Sequence, residues 1–316
     1  MLKNEQKYIL IMVALLIISI FILILTNTKK CEQNESYKKK CSKILVIIVG
    51  NFPKPDKDNS CDIIEFNAPV DISPENWNEL AMAIFKMYGE YDAFVVLHNP
   101  ETITYTASAL AFMLENLDKT VVLSSDAVSA INLAKNYSIP EVVVCDGDRI
   151  LRGCRSKKIK SAINSPNYPY LGKISDKIEL ANDKILSKPR EALKFLPVDP
   201  NKKVIVFKIF PGVDSKYLLG ALKEQKVHGI ILECYSSGYT PSDPAFAKII
   251  ADAINNGIIV VSVSQNADNC TNSLGICGKD ITTESALAKL YLILTNVENL
   301  NQATAANLFD ISMRGE

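Results

Sequence analysis

At 316 residues the chain has room for two domains of ordinary size, and 48% of it is apolar, enough for a large buried core. Lys plus Arg and Asp plus Glu number 35 each, so the net charge is zero, no global attraction to nucleic acid exists and no nucleic-acid partner is expected. The eight cysteines form no CxxC pair and only two histidines, His98 and His228, could join them, so neither a zinc site nor any other cofactor is expected.

In chain order, residues 1–7 form a short tail, followed at 8–25 by the unbroken apolar run YILIMVALLIISIFILIL. That run is longer than the roughly 7–15 residues of a signal-peptide core, and no A-x-A cleavage site follows it. It predicts one retained transmembrane helix over 8–27, and hence a single-pass membrane location. Lys3 and Lys7 precede the span, whereas Lys29, Lys30, Lys38, Lys39, Lys40 and Lys43 follow it, which predicts a cytosolic globular part. Residues 28–42 read as a charged tether.

Packing is expected to start at KILVIIVG (43–50), a continuous apolar run typical of a strand covered on both faces. CDIIEF (61–66) reads as a second strand. SPENWNELAMAIFKMY (73–88) reads as a helix, with Ser73 as N-cap, Pro74 at the first position and Asn76 leaving a capping box incomplete. Trp77, Leu80, Ala81, Ile84 and Met87 recur at helical spacing and form its core face. Strands at 91–98, 119–125 and 141–146 alternate with helices at 104–117 and 127–137, the pattern of a doubly wound α/β domain. Charge and proline accumulate between 175 and 202, so residues 188–202 are expected to link a domain at 43–187 to a second at 203–316. The second repeats the alternation: strands at 203–210, 229–235 and 257–264, helices at 216–224, 243–255 and 282–294. It should hold a smaller parallel sheet with ligand-binding loops at the carboxyl ends of its strands.

Four segments in this order carry a resemblance. YDAFVVLHNPETITYTASALAFMLENLDKTVVLSS (91–125) resembles the second signature region of the L-asparaginase family, particularly its cytosolic type I branch, where H-G-T-D-T-M precedes a helix of the form Y-T-A-S-A-L-S-F-M-L. LRGCRSKKIKSAINSPNYPYLGKI (151–174) is similar to the family's L-R-G-N-R-T-T-K stretch and the S-P-N-Y-P after it. HGIILECYSSGYTPSDPAF (228–246) resembles L-E-T-F-G-S-G-N-x-P, and GKDITTESALAKL (278–290) resembles G-G-D-M-T-T-E-A-A-L-x-K-L. The resemblance implies an asparaginase-like two-domain fold, a larger doubly wound N-terminal domain and a smaller C-terminal parallel-sheet domain, here preceded by the expected transmembrane helix.

It also implies an amidohydrolase whose threonine attacks the side-chain amide of asparagine to give an acyl-enzyme that water cleaves. Here the family's nucleophile position, in T-G-G-T-I after the first strand, is Phe52, which has no hydroxyl. The second threonine, in H-G-T-D-T, falls on Pro100, which lacks both a hydroxyl and a backbone N–H. The aspartate beside it becomes Glu101, and the threonine after it is kept as Thr102. Lys158 matches the family's lysine base, with a second lysine, Lys157, beside it. The substrate-binding D-S-S-N stretch falls on Ala68-Pro69-Val70-Asp71, and the asparagine that reaches a neighbouring subunit's site falls on Tyr239. Thr104 lies at the start of the helix, His98 is expected as a satisfied strand-end histidine, and Cys145 and Cys154 as buried small apolar residues.

Two readings stay open. One is a membrane-anchored asparaginase-like protein without amidase activity, in which Glu101 and Lys158, with Asp71 and Thr102, hold a small amide or amino acid. The other is an active L-asparaginase that hydrolyses L-asparagine to L-aspartate and ammonia. Family subunits complete one another's sites, so the resemblance implies a homo-oligomer, dimer or tetramer, or a hetero-oligomer with an active relative.

Overall fold

The computed structural model describes residues 37–38, 43–56, 58–224, 226–266, 270 and 273–316. Strand β1 (Ile44–Val49) is buried at all six positions, as its unbroken apolar sequence requires. It pairs in parallel with β2 (Cys61–Phe66) on one side and with β3 (Ala93–Leu97) on the other. A two-residue ladder joins β4 (Leu114–Glu115) to a later segment, while β5 (Thr120–Ser124) and β6 (Val142–Asp146) continue the parallel sheet beyond β3. The sheet then turns antiparallel through β7 (Arg149–Arg152); β8 (Lys157–Ile159) and β9 (Ala162–Asn164) form a separate hairpin; and β10 (Gly172–Ile174) and β11 (Ile178–Leu180) complete the order β11-β10-β7-β6-β5-β3-β1-β2. β12 (Lys194–Phe195) closes the ladder with β4.

Helix α1 (Pro74–Met87) buries Trp77, Leu80, Ala81 and Ile84, while Met87 packs half-buried against the same cluster. Its capping box is more complete than expected, because Asn76 Oδ1 accepts from the Ser73 N–H at 3.1 Å and serves where a glutamate would. Helix α2 (Ile103–Met113) is buried on almost every face, which its apolar sequence tolerates. Helix α3 (Ala127–Asn136) covers the other face of the sheet with Ala130, Leu133 and Ala134, its first turn held by Asp126, which accepts from the Val128 and Ser129 amides.

The second domain is a four-stranded parallel sheet in the order β13 (Val204–Lys208), β14 (Gly229–Cys234), β15 (Ile259–Ser264), β16 (Ile276–Cys277). Helices α4 (Ser215–Glu224), α5 (Pro244–Asn255), α6 (Thr283–Asn296) and α7 (Gln302–Asp310) cover it. Helix α6 also packs on α2, so the two sheets share one interface, where Ser285 Oγ donates to Cys154 O.

The fold expected from the sequence needs one correction. Among the described residues no helix is long and apolar enough to cross a membrane, and their architecture is the two-domain α/β body alone. The span expected over residues 8–27 lies outside the described residues, and the single-pass membrane location that rested on it is withdrawn.

Candidate functional site

Where strand order reverses in an open parallel sheet, the loops at the carboxyl ends of the flanking strands part and leave a crevice. Here that point lies between β1 and β3, because the chain leaves β1 for β2 on one side and continues through β3 and β5 on the other. The sequence-predicted site residues hang from these loops. After β1 the backbone turns at Gly50, whose φ of +74° favours glycine. Phe52 follows and is half-buried against the apolar cluster on the α3 side of the sheet, alongside Ile63 and Tyr137.

After β3, His98 is buried and pinned at both ring nitrogens. Its Nδ1 lies 2.9 Å from the Asn99 carbonyl, which can only accept, so Nδ1 carries the proton and Nε2 accepts from Thr106 Oγ1 at 2.9 Å. Burial lowers its pKa, in keeping with a neutral ring held by two partners. His98 is thus the satisfied strand-end histidine expected. The turn behind it is tied by Asn99 Oδ1, which accepts from the Glu101 N–H at 2.8 Å, and by Thr102 Oγ1, which donates to Val70 O at 2.9 Å across the crevice. Asp71, next to Val70, is exposed and makes no hydrogen bond or ion pair among the described residues. Thr104 is buried at 1% exposure, and its hydroxyl meets no partner among the described residues.

The structure brings two of these residues together. The β8–β9 hairpin carries Lys158 to the crevice, where its ammonium pairs with the Glu101 carboxylate. The lysine side chain is 21% exposed and the carboxylate 66%, so one partner is sheltered and the other faces solvent. Arg155, anchored on Asp280 at 2.7 Å, and Ile163 N–H, donating to Asp146 Oδ2 at 3.0 Å, fix the hairpin at its two ends. Lys157 points elsewhere, donating to Gln265 O at 3.0 Å and lying 3.8 Å from Glu233 Oε1. The resemblance assigns the family's lysine to Lys158, and alternation along the strand sends the adjacent Lys157 to the opposite face.

Sequence reasoning missed a polar cluster at the domain interface. Glu233, at the end of β14, accepts from Thr283 Oγ1 at 2.8 Å and pairs with Lys208 at 3.4 Å. Beside it Glu284 is buried, and burial raises its pKa against the opposing pull of Lys157. Burial also pushes the Tyr105 phenol up to about 12, helped by Glu284 and Glu233. Both glutamates lie inside the quoted LECYSSGY and TTESAL segments, so the positions were visible and their meeting was not.

A two-domain α/β body with a Lys–Glu pair in the crevice between β1 and β3 places the protein in the asparaginase-like class. The comparisons agree. Residues 67–186 match the model "Asparaginase, N-terminal", and residues 203–309 match "Glutaminase/Asparaginase C-terminal domain". The chain is 32% identical over 276 residues to L-asparaginase 1 of Escherichia coli, covering 78% of this chain and 80% of that one. It is 28% identical to the human 60 kDa lysophospholipase, covering 78% of this chain but 48% of the relative. The crystal structure of L-asparaginase I from Vibrio cholerae superposes with a TM-score of 0.76 at 29% identity, covering 87% of this chain and 98% of that one. The chain belongs to the asparaginase family.

Proposed function

We propose that this is an asparaginase-fold protein that binds a small amide or amino acid in the β1–β3 crevice without the family's amidase activity. The observation that carries this reading is the Lys158–Glu101 pair, retained in a crevice whose two nucleophile positions, Phe52 and Pro100, have no hydroxyl. Nucleophilic catalysis needs a hydroxyl within hydrogen-bond reach of its base. Of the nearby candidates, Thr102 is engaged with Val70 O and Thr104 is buried. The family-model match to the N-terminal domain begins at residue 67, after β1 and the Phe52 loop, consistent with divergence there. In this reading Lys158 and Glu101 present a cation and an anion to a zwitterionic or amide ligand, with Thr102 and Asp71 on the loops around it. The protein works as a homo-oligomer or paired with an active relative, as the family's assembly suggests. Light scattering of the purified protein tests this, and a monomer would count against it.

The test of function is ammonia release from asparagine and glutamine, run with thermal shift in the same ligands and in aspartate. Background ammonia with a rise in melting temperature that Lys158→Ala removes is the expected result; a ligand at 100 times its Kd adds about 2.7 kcal/mol. Turnover abolished by Lys158→Ala would instead establish the second reading, hydrolysis of L-asparagine to L-aspartate and ammonia. That reading is favoured by the retained lysine and by the 32% identity to an L-asparaginase.

A further inference from the structure

The far end of α2, about 15 Å from the Glu101 turn at a rise of about 1.5 Å per residue, opens on a separate cavity of about 390 Å³. Its floor is apolar, built by Ala111, Leu114, Leu117, Val142 and Met313. The first four of these are buried in the folded chain, so the cavity is a half-open cleft with an interior floor, and its rim includes the exposed Ser187. Interiors are packed to crystal density, and voids beyond a water molecule are few. A space of this size falls within the range of small-molecule sites, which combine apolar walls with a few fixed polar groups.

The polar groups here are fixed. Arg152 and Glu141, each 3% exposed in its side chain, form a two-point pair at 2.6 and 3.1 Å. Arg152 also donates to Lys184 O at 2.6 Å and Gly315 O at 3.2 Å and stacks on the Tyr168 ring. Arg314, also in the lining, donates to Ala111 O at 2.9 Å and lies 3.5 Å from Glu115. The Cys154 thiol donates to Arg314 O at 3.4 Å, and burial holds it protonated. Each guanidinium therefore already has a carboxylate, Glu141 within the wall and Glu115 just outside it, so neither is left free to pair with an anion. Bringing a charged group into such a site without a partner would incur its full desolvation cost.

We propose that this cavity is a second ligand site, distinct from the β1–β3 crevice, for a neutral and mostly apolar small molecule. The experiment titrates the full chain with prodan, a neutral naphthalene fluorophore whose emission shifts to the blue in apolar surroundings, and with the anionic 1-anilinonaphthalene-8-sulfonate. One saturable prodan site is expected, at least tenfold tighter than the anionic dye. Ser187→Trp, which crowds the exposed rim without disturbing the core, should weaken prodan at least tenfold, whereas Lys158→Ala should leave it unchanged. A signal that rises without saturating, undiminished binding in Ser187→Trp, equal affinity for the anionic dye, or loss of prodan binding in Lys158→Ala would each overturn the proposal. If Lys158→Ala loses its thermal response to asparagine while prodan still saturates, the two sites are separated.

Discussion

Replacing Phe52 by threonine restores the residue type that the family's nucleophile position carries, and the structure says what else changes. Phe52 packs its ring half-buried on the cluster that includes Ile63 and Tyr137, on the face covered by α3. Full burial of a phenylalanine contributes about 1.5–3 kcal/mol relative to exposure. Phe52 is buried only in part, and threonine keeps a methyl group there, so Phe52→Thr should cost about 1–2 kcal/mol. At this chain length each kcal/mol lowers the melting temperature by about 1.5 °C, from an unfolding entropy of about 2.1 cal/mol/K per residue. Urea unfolding with unchanged slope and a lower midpoint should report the loss, and ammonia release from asparagine should stay at background. Activity stays low because Pro100 still lacks the second hydroxyl, so the lysine's partner remains missing. A Phe52→Thr protein that is as stable as the parent and hydrolyses asparagine would refute both halves of this reasoning, since the ring would then be neither a packing element nor the sign of a lost reaction.

Lys289 and Glu316 form a pair at 2.6 Å with side chains 1% and 2% exposed, so Lys289→Met should cost about 3–5 kcal/mol by leaving a carboxylate buried without its partner. Denaturant unfolding of the single variant and of Lys289→Met with Glu316→Gln checks this, and the double variant should recover most of the loss. Glu284 has a raised folded pKa, so its protonated form is the one that favours folding. Its contribution is complete below the ordinary glutamate range and is lost as pH rises through the raised value. Glu284→Gln should therefore gain stability over the parent progressively from about pH 5 upward, measured by urea midpoints across pH; a flat difference would show that the group is not buried as described. Glu316 runs the other way, because Lys289 and the Met313 and Arg314 amides outweigh its burial and hold its pKa down. Its stabilisation is lost as pH falls, so the Glu284 comparison must be made between variants and not read from the parent alone. Glu101→Gln should change stability by less than about 1 kcal/mol, because its carboxylate is 66% exposed, yet remove any thermal response to asparagine or aspartate.

How far the sequence could be read differs by element, for physical reasons. β1 was legible because a six-residue apolar run buried on both faces needs no context to be recognised. The helix expected over 104–117 stops at Met113, since Leu114–Glu115 pair with Lys194–Phe195 and Asn116 takes a φ of +62°. That ending depends on a segment some eighty residues away and leaves no local stop signal. Helix α7 was missed because in nine residues it buries only Ala305 and Phe309, too few positions to show a helical period, and its start is marked by Asn301 accepting from the Thr304 N–H. At the site, the absence of hydroxyls at Phe52 and Pro100 follows from residue type alone and Lys158 was assigned by the motif it matches, while its pairing with Glu101, and the turning away of Lys157, needed the fold. The absence of a hydroxyl can thus be read from a sequence, because no arrangement of the chain supplies an oxygen to a phenyl ring. Chemistry that remains depends on which side chains meet, and here the fold joins Glu101 to a lysine 57 positions away.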